Sequence, residues 1–403
     1  MSAWRDLAKL PRPLWAQFFA TLVNRMGTMA LPFLVLYLTR HRGFTSERAA
    51  SMLVLYGAGA CVMGPVGGWL CDRFDAARVM TGALALSGLV LFIYPVAHAP
   101  AAVAAATLVW ALASEAFRPA GLASTSTHAA PAQRKAAFAL SRLATNLGMS
   151  FGPALGGFLA ERSFPLLFRV DGCTSLLAAA VLVLGHARLS AGVPEGQPPG
   201  AEPAVALAAE APRHSPWESF LGAWSDRRLR GMLLAFLPVA LIFFQHDGAM
   251  PIYLVRDLGL PFSAYGMLFT INTVLIIFLE IPLNAAMESW PHRRSLSLGA
   301  ALFGVGFGLL GVVKGFAGAA ATVVVWTFGE MILFPSASSY IADISPERRR
   351  GAYMGLFTTI FSVAFMTGPW AGIRVMEVCG AASLWAACLA AGAVSAVFLA
   401  RVR

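Results

Sequence analysis

Long apolar stretches recur along almost the whole chain and restrict the folds open to it. A membrane-spanning helix needs about 20 mostly apolar residues, and twelve stretches of that kind can be counted. They cover residues 13–39, 48–71, 78–97, 100–124, 137–160, 164–187, 230–255, 263–287, 295–315, 318–342, 352–375 and 380–400. We therefore predict an all-α integral membrane protein with twelve transmembrane helices, in which little chain is left for a soluble domain.

Composition supports the same class. Of the 403 residues, 58% are hydrophobic and only 12% are charged, and the mean hydropathy is +0.69. The net charge of +10 does not indicate nucleic-acid binding, because the basic residues are scattered between the apolar stretches. With both termini in the cytoplasm, nineteen arginines and lysines of the connections fall inside and seven outside. This asymmetry predicts that orientation in a cell inner membrane.

The first stretch is too long, and too poor in small-residue cleavage signals, for a removed signal peptide. The five cysteines lie in or beside the apolar stretches without a C-x-x-C pattern, and the histidines show no metal spacing. We therefore expect no disulfide framework, no metal and no cofactor. No stretch carries a nucleophile with a base, so an enzyme is not expected.

An internal repeat relates the two halves of the chain. Adding 216 to a residue number superimposes Trp110 on Trp326, Pro119 on Pro335 and Pro153 on Pro369 without a gap from the second stretch through the fifth. The first stretch needs a shift of a few residues to match the seventh. Because transporters are commonly built from repeated halves, the sequence predicts two pseudo-symmetric six-helix bundles, residues 1–187 and 230–403.

Residues 188–229 between the halves are rich in proline and read as a cytoplasmic linker. The end of this linker has the pattern of a helix. Ser215 and Glu218 have the spacing of a capping box, and Trp217 and Trp224 belong to an apolar i, i+3, i+4, i+7 pattern. We expect a short amphipathic helix in the inner membrane interface.

The fifth stretch contains a glycine stripe followed by a proline. Gly148, Gly152 and Gly156 recur every four residues, so they share one helix face that another helix backbone can approach closely. With Pro153 and Gly157 they complete a G-x-x-x-G-P-x-x-G-G pattern. This pattern resembles the fifth-helix signature of the antiporter branch of the major facilitator superfamily. The resemblance implies two six-helix bundles around a central cavity, alternating access, and exchange of a substrate for a proton.

The loop after the second stretch resembles a second signature of that superfamily, G-x-L-x-D-R-x-G-R-x-R. Residues that match include Gly68, Asp72, Arg73 and Arg78, whereas Asp75 replaces the usual glycine and Ala76 a basic residue. A carboxylate just past a helix end can pair with arginines and with a neighbouring helix N-terminus. The resemblance implies a latch that closes the cytoplasmic side. Glu288 and Arg294 would form its weaker counterpart in the second half.

Ionisable residues inside apolar stretches are costly unless they are paired or hydrated, and they are functional candidates for that reason. Arg142 and Glu280 lie in the cytoplasmic third, and Arg169 and Asp171 near the outer end, where a structural role is at least as plausible. The candidates for polar and substrate contacts in the cavity are Asn24, Arg25, Arg118, Gln245, His246, Asn272 and Glu280. Glu115 and Arg118 are also spaced to neutralise each other on one helix.

Three acids are candidates for the coupling proton, namely Glu115, Asp247 and Glu330. An apolar environment disfavours a charged carboxylate, which suits reversible protonation. Arg25, Arg118 or His246 would tune this protonation. Aromatic residues and methionines supply an adaptable wall that suits varied amphipathic molecules better than one polar sugar.

The sequence hence favours a monomeric transporter in the lipid bilayer that exports small amphipathic or drug-like molecules in exchange for protons. A nutrient symporter or facilitator and a lysolipid flippase of the same fold remain alternatives. A non-transporting membrane sensor is disfavoured by the paired bundles and the latch motif.

Overall fold

A computed structural model of the chain describes residues 10–129, 133–190, 222–287, 289–346 and 350–402. In these ranges the chain is all-helical, and apolar runs interrupted by short turns explain each helix. The helices of the first half are α1 (Arg12–Gly27), α2 (Ala30–Leu36), α3 (Ser46–Arg73), α4 (Ala76–Ile93), α5 (Pro100–His128), α6 (Arg134–Arg162) and α7 (Phe164–Ser190).

The second half repeats this order. Its helices are α8 (Arg227–Phe243), α9 (Ala249–Ile252), α10 (Phe262–Ala286), α11 (His292–Leu309), α12 (Phe316–Ile344), α13 (Arg350–Cys379) and α14 (Ala381–Leu399). The boundaries of the predicted linker move slightly, because α7 continues through Ser190 and α8 begins at Arg227. The predicted amphipathic helix lies almost entirely outside the described residues.

Ten segments in the described ranges are long and apolar enough to cross a membrane. Two of them contain a break, Arg12–His41 and Arg227–Asp257. Helices α3 and α6 are 28 and 29 residues long and pack among these ten. A multi-pass helical membrane protein is thus confirmed, whereas the count of twelve spans stays a prediction.

Helix contacts are concentrated within each half of the chain. Residues of the two halves meet chiefly where α6 packs on α10, α3 on α13 and α2 on α9. One end of the molecule carries the helix ends at Arg12, Arg73 and Arg227, and we call it the arginine-rich end. The halves are joined at the opposite end, where Glu161 accepts a hydrogen bond from the Ser263 amide at 2.9 Å.

Further contacts close the same opposite end. Arg374 pairs with Glu47 across the α3 and α13 contact, and the rings of Phe33 and Tyr265 meet edge to face at 5.2 Å. An ion pair, a hydrogen bond and an aromatic contact therefore hold the two halves together at this end.

The segments Arg12–His41 and Arg227–Asp257, which correspond to the first and seventh apolar stretches and are called the first and seventh spans below, share a structural detail. Each ends in a five-residue π-helical turn, Tyr37–His41 and Tyr253–Asp257, which are 216 residues apart. Gly43 and Gly259 follow with φ of 67° and 64°, a backbone region that favours glycine. The shift predicted for the first span is therefore not needed at this end of it, so the repeat extends further than the sequence alone indicated.

Candidate functional site

A cavity of about 340 Å³ lies between the two halves, toward the arginine-rich end. Helices α6, α10 and α12 supply its wall. The lining residues are Arg142, Asn146, Ile276, Glu280, Glu330, Met331, Phe334, Pro335 and Ser338. The wall is therefore mixed, with two carboxylates and one guanidinium beside aliphatic, aromatic and thioether groups.

Of the three candidates for the coupling proton, Glu330 is the one that lines this cavity, and it has a hydrogen-bond partner there. The Asn272 amide on α10 donates to Glu330 Oε2 at 2.9 Å and approaches the Thr327 hydroxyl oxygen at 3.0 Å. Thr327 lies three residues before Glu330 on α12 and is fully buried. His246 and Glu280 are further titratable neighbours of Glu330. Asn272 thus holds the carboxylate in a fixed position at the cavity wall.

Arg142 and Glu280 form an ion pair that joins the two halves. Arg142 Nη2 on α6 lies 3.1 and 3.2 Å from the two carboxylate oxygens of Glu280 on α10. The Arg142 side chain is 72% exposed, whereas that of Glu280 is 18% exposed. Sequence reasoning placed both residues at a similar depth but treated them separately. The opposite charges at a similar depth in the fifth and eighth apolar stretches could have predicted this pair.

The other predicted acids lie elsewhere. Asp247 is buried in the break of the seventh span, and its Oδ2 lies 3.4 Å from His246 Nε2. His246 Nδ1 is 2.5 Å from the Phe243 carbonyl, a distance at which it donates its proton there and turns Nε2 toward Asp247. Aromatic rings surround His246, including Phe243 at 4.6 Å and Phe269 at 5.4 Å. The pair therefore sits in an apolar shell beside the cavity.

Glu115 in the first half has a weaker partner. The Tyr56 hydroxyl donates to Glu115 Oε1 at 3.4 Å, and Arg25 is a further charged neighbour of Tyr56. Among the described residues, no ion pair within 4.0 Å joins Glu115 to Arg118, which is exposed. The neutralising pair considered from their spacing is thus not formed in this conformation.

Three predicted cavity residues instead support the broken spans. Asn24 donates to Ser175 on α7 at 3.3 Å. Gln245 donates to the carbonyls of Leu241 and Gly368 at 2.9 and 2.7 Å. Arg25 lies against Gly148, where a methyl group added to the glycine would meet the Arg25 Cβ. These side chains face neighbouring helices, so none of the three belongs to the cavity wall.

Asp171 has a role that depth alone did not reveal. Its Oδ2 accepts hydrogen bonds from the backbone amides of Met29 and Ala30, at 3.1 and 2.9 Å. These amides begin α2 after the break in the first span, and Asp171 is only 4% exposed. A carboxylate at a helix N-terminus satisfies otherwise unpaired amides and complements the helix dipole.

The glycine stripe of α6 lies against that same break. A methyl group at Gly152 would come within 2.9 Å of the Arg25 and Thr28 carbonyls, and one at Gly156 within 2.8 Å of Met29 Cβ. Gly157 faces Ser263 instead, and the Pro153 carbonyl faces Gly266 on α10. The motif therefore packs between the broken first span, α1 and α2, on one side and α10 on the other.

The latch residues are only partly described. Glu288 lies outside the described residues, and the structure does not describe the side-chain contacts of Asp72 or the contacts around Gly68. Asp75 accepts hydrogen bonds from the amides of Ala77 and Arg78 and so caps α4. The Arg73 guanidinium lies over the Trp69 ring at 5.8 Å, and that of Arg294 over the Trp290 ring at 3.9 Å. Asp75, which departs from the motif, thus serves as a helix cap.

Known proteins share both the sequence pattern and the fold. The chain is 24% identical over 395 residues to the uncharacterized MFS-type transporter YqjV of Bacillus subtilis, covering 94% of this chain and 90% of the relative. It is 23% identical to a Na⁺, Li⁺, K⁺/H⁺ antiporter of Planococcus maritimus, covering 88% and 87%.

A crystal structure of the peptide transporter POT with sulfate superimposes with a TM-score of 0.74 at 18% identity, covering 100% of this chain and 99% of that one. Such a likeness concerns the fold alone. The family model of the Major Facilitator Superfamily matches residues 17–264 and 246–403. The chain is therefore a membrane transporter, not an enzyme, and belongs to the major facilitator superfamily.

Proposed function

We propose that this transporter exchanges protons for small amphipathic organic molecules by alternating access and that Glu330 binds the coupling proton. The observation that carries the proposal is a carboxylate on the wall of a cavity between the halves, fixed there by Asn272. A carboxylate that is partly shielded from water is easier to protonate, because its charged form is poorly solvated.

The cavity wall favours an organic substrate over a bare metal ion. Ile276, Met331, Phe334 and Pro335 present apolar and polarisable surface next to Glu330, and soft walls of this kind accommodate varied shapes. Arg142 is engaged by Glu280, which leaves the charge of Glu330 available for a proton or a cationic substrate. Competition of these two ligands for one carboxylate would couple their movements in opposite directions.

Alternating access requires a closed end and an open end that exchange roles. The contacts of Glu161 with Ser263 and of Arg374 with Glu47 join the halves at one end, while the cavity lies toward the other. We infer that the arginine-rich end faces the cytoplasm, because basic residues concentrate there. The conformation is then inward-facing, and the glycine-lined contact of α6 with α10 is where the halves would pivot.

The experiment is transport into and out of proteoliposomes under an imposed pH gradient of either sign, with a panel of fluorescent organic cations. We expect transport against the cation gradient when protons flow the opposite way. Glu330→Gln should lower this coupled flux to background and leave the protein folded. Gradient-independent equilibration by the unaltered protein would identify a facilitator instead.

A matched variant separates the proton site from general damage to the cavity. Asn272→Ala removes the amide that holds Glu330 but keeps the carboxylate, so we expect a shifted pH optimum and a flux reduced about tenfold. If Glu330→Gln retained full pH-driven transport, the assignment of the proton to Glu330 would be wrong.

A further inference from the structure

A second cavity, of about 440 Å³, lies on the flank of the first half, away from the proposed transport site. Helices α3, α4 and α5 form it, and among the residues whose side chains the structure describes its lining is apolar apart from Arg78. We call it the α4 groove and define it by Met63, Leu70, Phe74, Arg78, Val79, Gly82, Ala83, Leu86, Leu112, Ala113 and Ala116. Leu86 and Phe74 are also among the exposed large hydrophobic side chains of the molecule.

The position of the groove corresponds to one leaflet of a bilayer. Trp69 and Phe74 are exposed at its arginine-rich end, and exposed aromatic residues at a span end mark the headgroup level. From Arg78 to Leu86 the helix rises about 12 Å, close to the hydrocarbon half-thickness of about 15 Å. The groove therefore begins at headgroup depth and extends toward the middle of the bilayer.

Gly82 keeps the groove open. A methyl group added at Gly82 would meet no atom within 4 Å, so the absence of a side chain here does not serve close helix packing. The position 216 residues later is Leu298, which is partly exposed on α11. The second half therefore has a leucine side chain at the position where the first half has a glycine and open space.

At the groove mouth the two halves differ in the surroundings of an equivalent arginine. Arg78 lines the cavity at the start of α4, whereas its repeat equivalent Arg294 stacks on Trp290 at 3.9 Å. Arg73, at the end of α3, is also exposed. Arginines at the cytoplasmic headgroup level attract anionic lipid.

We propose that the α4 groove binds an anionic glycerophospholipid, with one acyl chain along Gly82 and Leu86 and the phosphate at Arg78. The apolar lining removes the chain from contact with mobile lipid, and the guanidinium donates hydrogen bonds to the phosphate oxygens. The proposal stands independently of the transported substrate and of the coupling ion.

The test is native mass spectrometry of the detergent-purified protein, titrated with an equal mixture of phosphatidylglycerol and phosphatidylethanolamine with the same chains. We expect retained lipid to favour phosphatidylglycerol. Arg78→Gln should lower that preference about fivefold, the effect of one arginine at an anionic surface. The matched variant Arg294→Gln should leave it unchanged, and equal effects of the two variants would overturn the proposal.

Filling the groove tests the acyl-chain site. Gly82→Leu, which copies the repeat, should abolish retention of both lipids, whereas Gly231→Leu is a control at another glycine with open space around it. Retention by Gly82→Leu at the level of the unaltered protein would disprove the site, as would displacement of the lipid by the organic cations used for transport.

A second measurement needs no change at Gly82. A fluorophore on Leu86→Cys should be quenched more strongly by chain-brominated phosphatidylglycerol than by the phosphatidylethanolamine analogue. The same label on Leu234→Cys, at an exposed position of α8, should show no preference. Equal quenching of the Leu86 label by the two lipids would contradict the proposal.

Discussion

The breaks in the first and seventh spans occupy equivalent places in the repeat but are stabilised differently. In the first span, Asp171 of α7 reaches across to the amides of Met29 and Ala30. In the seventh span a short 3₁₀ turn bridges the break, with the Asp247 amide donating to the Phe244 carbonyl at 3.3 Å and the Tyr265 hydroxyl of α10 donating to the His246 carbonyl at 2.8 Å. One break depends on a distant carboxylate, and the other does not.

This difference has a consequence for the chemistry of the two halves. Since Asp171 is engaged as a helix cap, the first break has no carboxylate to spare. In the seventh span Asp247 is not needed as a cap, so it pairs with His246 beside the cavity that contains Glu330. The first break is thus committed to a structural cap, whereas the second carries titratable groups.

The largest expected effect is from Asp171→Ala. This change leaves two buried amides without their acceptor, each costing about 1–3 kcal/mol, so we expect the free energy of unfolding to fall by about 2–5 kcal/mol. Thermal and denaturant unfolding in detergent measure it. Asp171→Asn keeps a carbonyl acceptor and should recover part of the loss. Equal stability of Asp171→Ala and the unaltered protein would remove the distinction between the breaks.

Second in size is a pair of glycine substitutions related by the repeat. A methyl group at Gly152 would lie 2.9 Å from the Arg25 and Thr28 carbonyl oxygens. One at Gly368 would lie 3.1 Å from the Leu241 carbonyl oxygen and 3.5 Å from its next neighbours. We expect Gly152→Ala to cost about 1–3 kcal/mol of unfolding free energy and Gly368→Ala less than about 1 kcal/mol. Unfolding in the same detergent compares them, and a reversed order would show that the seventh span is the tighter one.

A smaller effect on stability is expected for Asp247→Asn. The amide keeps the shape and can still hydrogen-bond His246, and no backbone amide loses its acceptor, so unfolding free energy should change by less than about 1 kcal/mol. The pH dependence of transport should change instead, because one titratable group beside Glu330 is gone. If this variant unfolded as readily as Asp171→Ala, Asp247 would be a structural cap as well.

The smallest effect concerns the start of the seventh span. Partial burial alone would raise the pKa of Asp226, but hydrogen bonds from the Tyr353 hydroxyl and the Arg228 and Leu229 amides lower it below its ordinary value. The contact therefore stabilises the folded state at neutral pH. Its contribution is lost as pH falls below about 4, through the lowered folded pKa.

Unfolding midpoints of Tyr353→Phe and the unaltered protein should differ slightly at pH 7 and converge once the pH lies below the lowered folded pKa of Asp226. A midpoint difference that did not shrink on acidification would mean that the carboxylate charge of Asp226 is not involved.

The sequence predicted the class of the fold because hydrocarbon imposes a simple rule on composition. Lipid cannot hydrogen-bond to the backbone, so long apolar stretches must be helical wherever they cross it. The scarcity of tryptophan and proline made the 216-residue repeat readable, and the glycine and loop motifs indicated the family. None of these signals depends on how one helix is rotated against another.

Partners across helices could not be predicted in this way. Arg142 and Glu280, and Asn272 and Glu330, lie 138 and 58 residues apart in the chain. Whether such groups meet depends on helix rotation and on the separation of the two halves. An apolar stretch that is hydrophobic on every side carries little periodicity to fix that rotation.

By itself, then, the sequence determined that this chain is a multi-pass helical membrane protein, because the cost of exposing polar groups to lipid acts on every residue of a span. The tertiary structure alone decided which acid lines the cavity, which one caps a broken helix and which glycine leaves a groove open. Those outcomes depend on contacts of a few ångströms between helices distant in the chain.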